Sequence, residues 1–123
     1  MAAPDPPRLT VHRHDTATSV LVTLVGEIDL DTVPLLREAL ESRLHDGVRT
    51  VDVCLAAVSF CDVSGVTALV AASQHTVAAG VSLLFHDPGR AMVRLLDLTG
   101  TGFLLGGAAD AVALEPLVLG CPR

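Results

Sequence analysis

Residues 50–65 read Thr50-Val51-Asp52-Val53-Cys54-Leu55-Ala56-Ala57-Val58-Ser59-Phe60-Cys61-Asp62-Val63-Ser64-Gly65. The first part, Thr50 to Leu55, is β-branched and apolar and predicts a strand. The segment that follows Gly65, Val66 to Ala79, predicts a helix. Ser64 is therefore expected on a strand-to-helix turn, with its hydroxyl at a helix N-terminus. Free backbone N–H groups and the helix dipole gather there and favour negative charge. A serine so placed can cap the helix, act as a nucleophile or accept a phosphate.

Working outward, the chain alternates strand and helix signals. Leu9 to His12 reads as a first strand and Ser19 to Val25 as a second, which Gly26 ends; the polar link His14 to Thr18 suits a hairpin. Asp31 or Thr32 can cap the next helix, with Pro34 in its first turn. Leu35, Leu36, Ala39, Leu40 and Leu44 share one face of that helix, opposite Arg37, Glu38, Glu41 and Arg43, and Gly47 stops it. Val48 to Leu55 is a third strand and Val81 to Phe85 a fourth. Pro88 starts a third helix with Met92, Val93, Leu95 and Leu96 as its buried stripe. Phe103 to Leu105 is a short last strand, and Ala108 to Leu119 a final helix that Pro116 kinks or ends. The expected fold is one α/β domain: a mostly parallel or mixed sheet of about five strands with about four helices packed on it. Residues 1–7 read as a Pro-rich flexible tail, and 8–119 as the domain.

Composition narrows the function. The chain has 123 residues, is 50% hydrophobic and carries a formal net charge of −6. All eight basic residues are Arg, and the aromatics are three Phe. Direct nucleic-acid binding is not expected, because phosphate contacts need clustered cations and single strands need stacking platforms. The start of the chain lacks a basic region followed by an apolar one, and no apolar run reaches a membrane span; residues 104–119 are broken by Asp110, Glu115 and Pro116. A cytoplasmic protein that does not engage membrane is expected. The three cysteines, Cys54, Cys61 and Cys121, form no Cys-x-x-Cys pair and read as buried free thiols in a reducing compartment.

Enzymatic readings find little support. The turn reads Asp62-Val63-Ser64-Gly65-Val66, not the Gly-x-Ser-x-Gly of a nucleophile elbow. No histidine is tied to Ser64 by spacing: His75 is about three helical turns down the same helix, and His86 ends the fourth strand. His12 and His14 share a strand face, but two ligands do not make a metal site. Asp29 and Asp31 are explained as loop caps. Gly100-Thr101-Gly102 lacks the dinucleotide spacing, and a chain without lysine has no Walker A motif. No catalytic residue, metal, cofactor or small-molecule ligand is expected. Phosphoryl acceptance remains: a phosphate on Ser64 adds about −1.5 to −2 charges, beside Asp62 and the Asp29/Asp31 loop. From the residues alone, this reading and a plain helix cap stand level.

Four motifs, in order, carry a resemblance. They are Gly26-Glu27-Ile28-Asp29-Leu30; Leu36-Arg37-Glu38-Ala39-Leu40; Val58-Ser59-Phe60-Cys61-Asp62-Val63-Ser64-Gly65; and Pro88 to Leu96 followed by Leu98-Thr99-Gly100. Over roughly Leu9 to Leu114 the chain resembles the STAS-domain anti-sigma factor antagonists, the small bacterial kind that stands alone. The resemblance implies binding to an anti-sigma factor that is also an ATP-dependent serine kinase, which frees a sigma factor for transcription. It implies phosphorylation of Ser64, which weakens the complex, and a serine phosphatase that resets it. It places Asp29, Asp31, Thr32, Asp62, Val63, Ser64 and Gly65 on the partner-binding surface, with Gly65 allowing close approach. The family often has serine where this chain has Val63, and an aspartate where it has Cys54. The alternative under the same resemblance is an adaptor that is not phosphorylated, within a larger signalling or lipid-transport assembly.

Overall fold

The computed structural model describes residues 8–42 and 44–102. Strands β1 (Leu9–Asp15), β2 (Ser19–Ile28), β3 (Thr50–Cys61) and β4 (Ser82–His86) form one sheet in the order β1-β2-β3-β4. β1 and β2 are an antiparallel hairpin, while β2, β3 and β4 run parallel. Helices α1 (Val33–Glu41), α2 (Val63–Ala78) and α3 (Arg90–Leu98) follow β2, β3 and β4. The mixed α/β sheet fold expected from the alternation is present. The last strand and final helix expected at 103–105 and 108–119 lie outside the described residues, as does the tail 1–7.

Register explains the core. Val20 pairs with Val51 and Val22 with Val53, and on the other edge Val51 pairs with Leu83 and Val53 with Phe85. Side chains of directly paired residues share a face, so these form one apolar layer. Right-handed crossovers between adjacent parallel strands put α1 and α2 on the same side of the sheet, and the two helices pack against each other. Leu36 and Leu40 of α1, Val66, Leu69 and Ala72 of α2, and Met92 and Leu96 of α3 are buried with that layer.

Several boundaries differ from the sequence expectation. β3 runs on to Cys61, because Ala57 to Cys61 continue to pair with Val25 to Ile28 although their own strand preference is weak. Helix α1 ends at Glu41, short of Gly47, and Leu35 is 41% exposed rather than in the buried stripe. Helix α3 starts at Arg90 with Gly89 as its N-cap, two residues after Pro88. Cys54 is buried in β3 and is disulfide-bonded, so the expectation of free thiols holds for Cys61 and fails for Cys54. The physical reason is tertiary: only the fold brings a second cysteine to a buried one.

One backbone feature shapes the sheet end that matters. Gly26 has φ +119, and a Cβ there would overlap the Arg8 carbonyl. The β2–β3 register shifts between Thr23 and Val25 and again between Gly26 and Glu27. Bulges of this kind bend a strand and re-aim the residues beyond it. Here those residues are Ile28 and the loop into α1.

Candidate functional site

β2 and β3 finish side by side. Ile28 is paired with Cys61, and the Asp62 amide donates to the Ile28 carbonyl at 3.1 Å. Parallel strands ending at one level send their next residues out together. Asp29 to Thr32 leads into α1 and Asp62 leads into α2, so both helix N-termini open at the same edge.

Asp62 is the N-cap of α2. Its backbone is extended, and Oδ1 accepts the Gly65 amide at 3.2 Å. Ser64 is therefore not the cap. It occupies the second position of the first turn, half-buried, and its hydroxyl has no hydrogen-bond partner among the described residues. The carboxylate accepts a backbone amide better placed than the serine could, which leaves the serine hydroxyl unspent at the mouth of the helix. Val63 is 57% exposed beside it.

Gly65 is buried and faces inward. A Cβ there would lie 2.5 Å from Ile28 Cγ2 and 2.7 Å from Cys61 Sγ. Its missing side chain is thus required by the internal packing of α2 on the ends of β2 and β3. Cys61, which packs against it, has its thiol pushed up to about 11 by burial and by the neighbouring Asp62 charge. That thiol is poorly suited to act as a nucleophile at neutral pH.

Across from Asp62, Thr32 is the N-cap residue of α1 but its side chain caps no helix amide. Thr32 is only 8% exposed; its hydroxyl accepts the Asp29 amide at 2.8 Å and donates to the Glu27 carbonyl at 3.0 Å. The capping expected of Asp31 or Thr32 is made by neither side chain; Asp29 Oδ1 instead accepts the amides of Asp31 at 3.0 Å and Thr32 at 3.1 Å, in the loop before the helix. Asp29 suits this because its short carboxylate folds back on the amides two and three residues further on. Asp31 is exposed.

Arg8 gave no signal in the sequence. Its guanidinium reaches Asp29 through two nitrogens, at 2.7 and 3.2 Å, and Asp31 at 2.7 Å. The separation of 21 and 23 residues hides these contacts from any local pattern. Leu30, 72% exposed, and Phe60, 51% exposed, were likewise missed. With Val63 they are large apolar side chains in the segments that border Ser64. An apolar residue that faces solvent looks in a sequence like one that faces the core; only its place outside the buried parity of β3 could have marked Phe60.

Among the described residues no histidine stands near Ser64. His86 is occupied by Asp52 at 2.8 Å and sits level with Cys54. Ser64 lies beyond Cys61, about 23 Å further along a straight strand at 3.3 Å per residue. His75 is in the last turn of α2. Among the described residues no three His, Cys, Asp or Glu side chains gather as a metal site, and no helix is long and apolar enough to cross a membrane.

An α/β sheet with two helix N-termini opening beside an unengaged serine is the frame of a STAS domain. The chain belongs to the STAS domain family, whose sequence pattern matches residues 8–112. It is 32% identical over 81 residues to the anti-sigma-B factor antagonist of Bacillus subtilis (strain 168), spanning 66% of this chain and 73% of that relative. The crystal structure of an anti-sigma factor antagonist from Mycobacterium paratuberculosis is 26% identical, with a TM-score of 0.70 over 92% of this chain and 99% of that one. The Bacillus anti-sigma factor antagonist SpoIIAA shares the fold in both phosphorylation states. Its unphosphorylated form has a TM-score of 0.66, 21% identity and coverage of 85% and 96%; its phosphorylated form has 0.62, 23%, and 84% and 99%.

Proposed function

We propose that this protein is an anti-sigma factor antagonist whose binding is switched off by phosphorylation of Ser64. In its unmodified form it binds an anti-sigma factor with serine kinase activity and releases a sigma factor. The kinase transfers the γ-phosphoryl group of ATP to Ser64 Oγ: the new P–O bond forms, the β–γ bond breaks and ADP leaves. A serine phosphatase reverses the modification.

The observation that carries this reading is the Ser64 hydroxyl itself: at a helix N-terminus and without a hydrogen bond among the described residues. Capping is already done by Asp62, so the structure has no use for Ser64 that a modification would destroy. A phosphate there meets the positive end of the α2 dipole, so the fold tolerates it. It also sits within the edge that bears Asp29 and Asp62. A partner seated against Leu30, Phe60 and Val63 would face new charge and hydrated bulk at that surface. Likeness to the anti-sigma-B factor antagonist supports the same assignment.

The test is a kinase assay with purified protein, ATP and candidate anti-sigma kinases, read by intact mass and peptide mapping. A single phosphate on Ser64, absent in Ser64→Ala, is the expected result. Binding without phosphate from every candidate kinase would replace the switch with a constitutive adaptor.

A further inference from the structure

Arg8 stands where three parts of the site are tied together. Its carbonyl accepts the Glu27 amide at 2.8 Å and lies against Gly26. Its guanidinium makes a two-nitrogen contact to Asp29 and a further one to Asp31. Asp29 in turn holds the amides of Asp31 and Thr32 in the loop that leads into α1. The residue before it, Ile28, receives the Asp62 amide, and the Asp62 carboxylate caps α2 one residue beyond Ser64.

Charge makes this cation consequential. Asp29, Asp31 and Asp62 gather at one end of the sheet, and the side chain of Asp29 is only 15% exposed. A carboxylate with little water needs a partner, and a forked guanidinium is the best available. Without it, Asp29 and Asp31 repel each other and Asp29 is drawn toward solvent. Its bonds to the Asp31 and Thr32 amides are then lost. The exposed contact to Asp31 is screened by salt, while the Asp29 contact is screened much less.

We infer that Arg8 is a positioning residue for the acceptor site: it latches the Asp29–Thr32 loop in the form that braces the Ser64 turn and presents Leu30 to a partner. The consequence for phosphorylation rests on the proposed role of Ser64; the latch itself does not.

Amide hydrogen exchange by NMR tests the latch on the whole chain without any partner. In Arg8→Gln, exchange at Asp31, Thr32 and Asp62 speeds up by about tenfold, the size expected for losing a charge-assisted pair, while Val53 and Leu69 keep their rates. Arg8→Lys restores part of the protection, since it returns the charge but not the fork. Unchanged exchange overturns the latch, and so does a uniform rise that includes Val53 and Leu69. Should Arg8→Gln fold poorly, Arg8→Lys, which keeps the charge and gives up the fork on Asp29, still raises exchange at Asp31 and Thr32 in a folded background, and no rise there overturns the latch.

The kinase that modifies Ser64 supplies the second reading. Arg8→Gln raises KM for the protein substrate about fivefold or more at unchanged kcat, as expected when docking and not transfer is impaired. Faster loop exchange with unchanged KM would overturn the docking role. If no kinase modifies the wild-type protein, the proposed function fails while the exchange result still decides the latch.

Discussion

Gly65 and Ile28 are in contact so close that no side chain fits between them: a Cβ on Gly65 would lie 2.5 Å from Ile28 Cγ2. The first turn of α2 is thereby pressed onto the last residue of β2, and Ser64 is carried to the sheet edge as a result. Gly65→Ala forces Ile28 and Cys61 to shift in a packed region. We expect a loss of about 1–3 kcal/mol, measured by urea unfolding. An unchanged midpoint would show that α2 is free to slide and that its position is not set by this contact.

Asp62 and Ser64 divide roles that a sequence cannot separate. Asp62→Ala removes the α2 cap and should cost about 1 kcal/mol. Asp62→Asn keeps an acceptor oxygen and should retain most of that stability. Equal losses in the two variants would mean that charge, not the hydrogen bond to the Gly65 amide, is what matters there.

Ser64→Ala gives up no hydrogen bond, so its stability should stay within about 0.5 kcal/mol of wild type. In a titration against the anti-sigma kinase, Ser64→Ala should bind as the unmodified protein does and resist inactivation by ATP. Ser64→Asp and Ser64→Glu should bind weakly, because they place charge at the docking edge. Equal affinities for wild type, Ser64→Ala and Ser64→Asp would remove Ser64 from the interface.

The Cys61 thiol gives a pH signature. Burial, then the Asp62 charge, raises it to about 11 from an ordinary value of 9.0. The folded state therefore keeps a proton that the unfolded chain releases first. Its contribution is fully present below pH 9 and is lost as pH rises toward 11. Denaturation midpoints measured from pH 8 to 11 should fall in wild type and fall less in Cys61→Ala. Alkylation of Cys61 at pH 8 should be slow in the folded protein and fast once it is unfolded, and equal rates would contradict the burial.

Much of this protein is legible in its sequence because much of it is local. Alternating apolar residues mark β2, β3 and β4, and the spacing of Leu36 and Leu40 marks α1, since strand and helix periods follow from backbone geometry alone. The strand-to-helix turn at Asp62 to Gly65 is equally local, which is why Ser64 could be singled out. The four family motifs add the order in which these elements must stack.

What tertiary structure decided is everything that joins residues distant along the chain. The pairing of β2 with β3 carries strand structure on through Ala56 to Cys61, a stretch with weak preference of its own. The same pairing sets Gly65 against Ile28 and Cys61, an internal contact that no local pattern marks. Arg8 meets Asp29 and Asp31 only because the β1–β2 hairpin brings the residue just before β1 back beside the end of β2. Leu30, in the loop after β2, and Phe60, near the end of β3, are left exposed by the packed fold. Periodicity is written residue by residue, whereas a close approach of two distant atoms exists only once the chain has closed on itself.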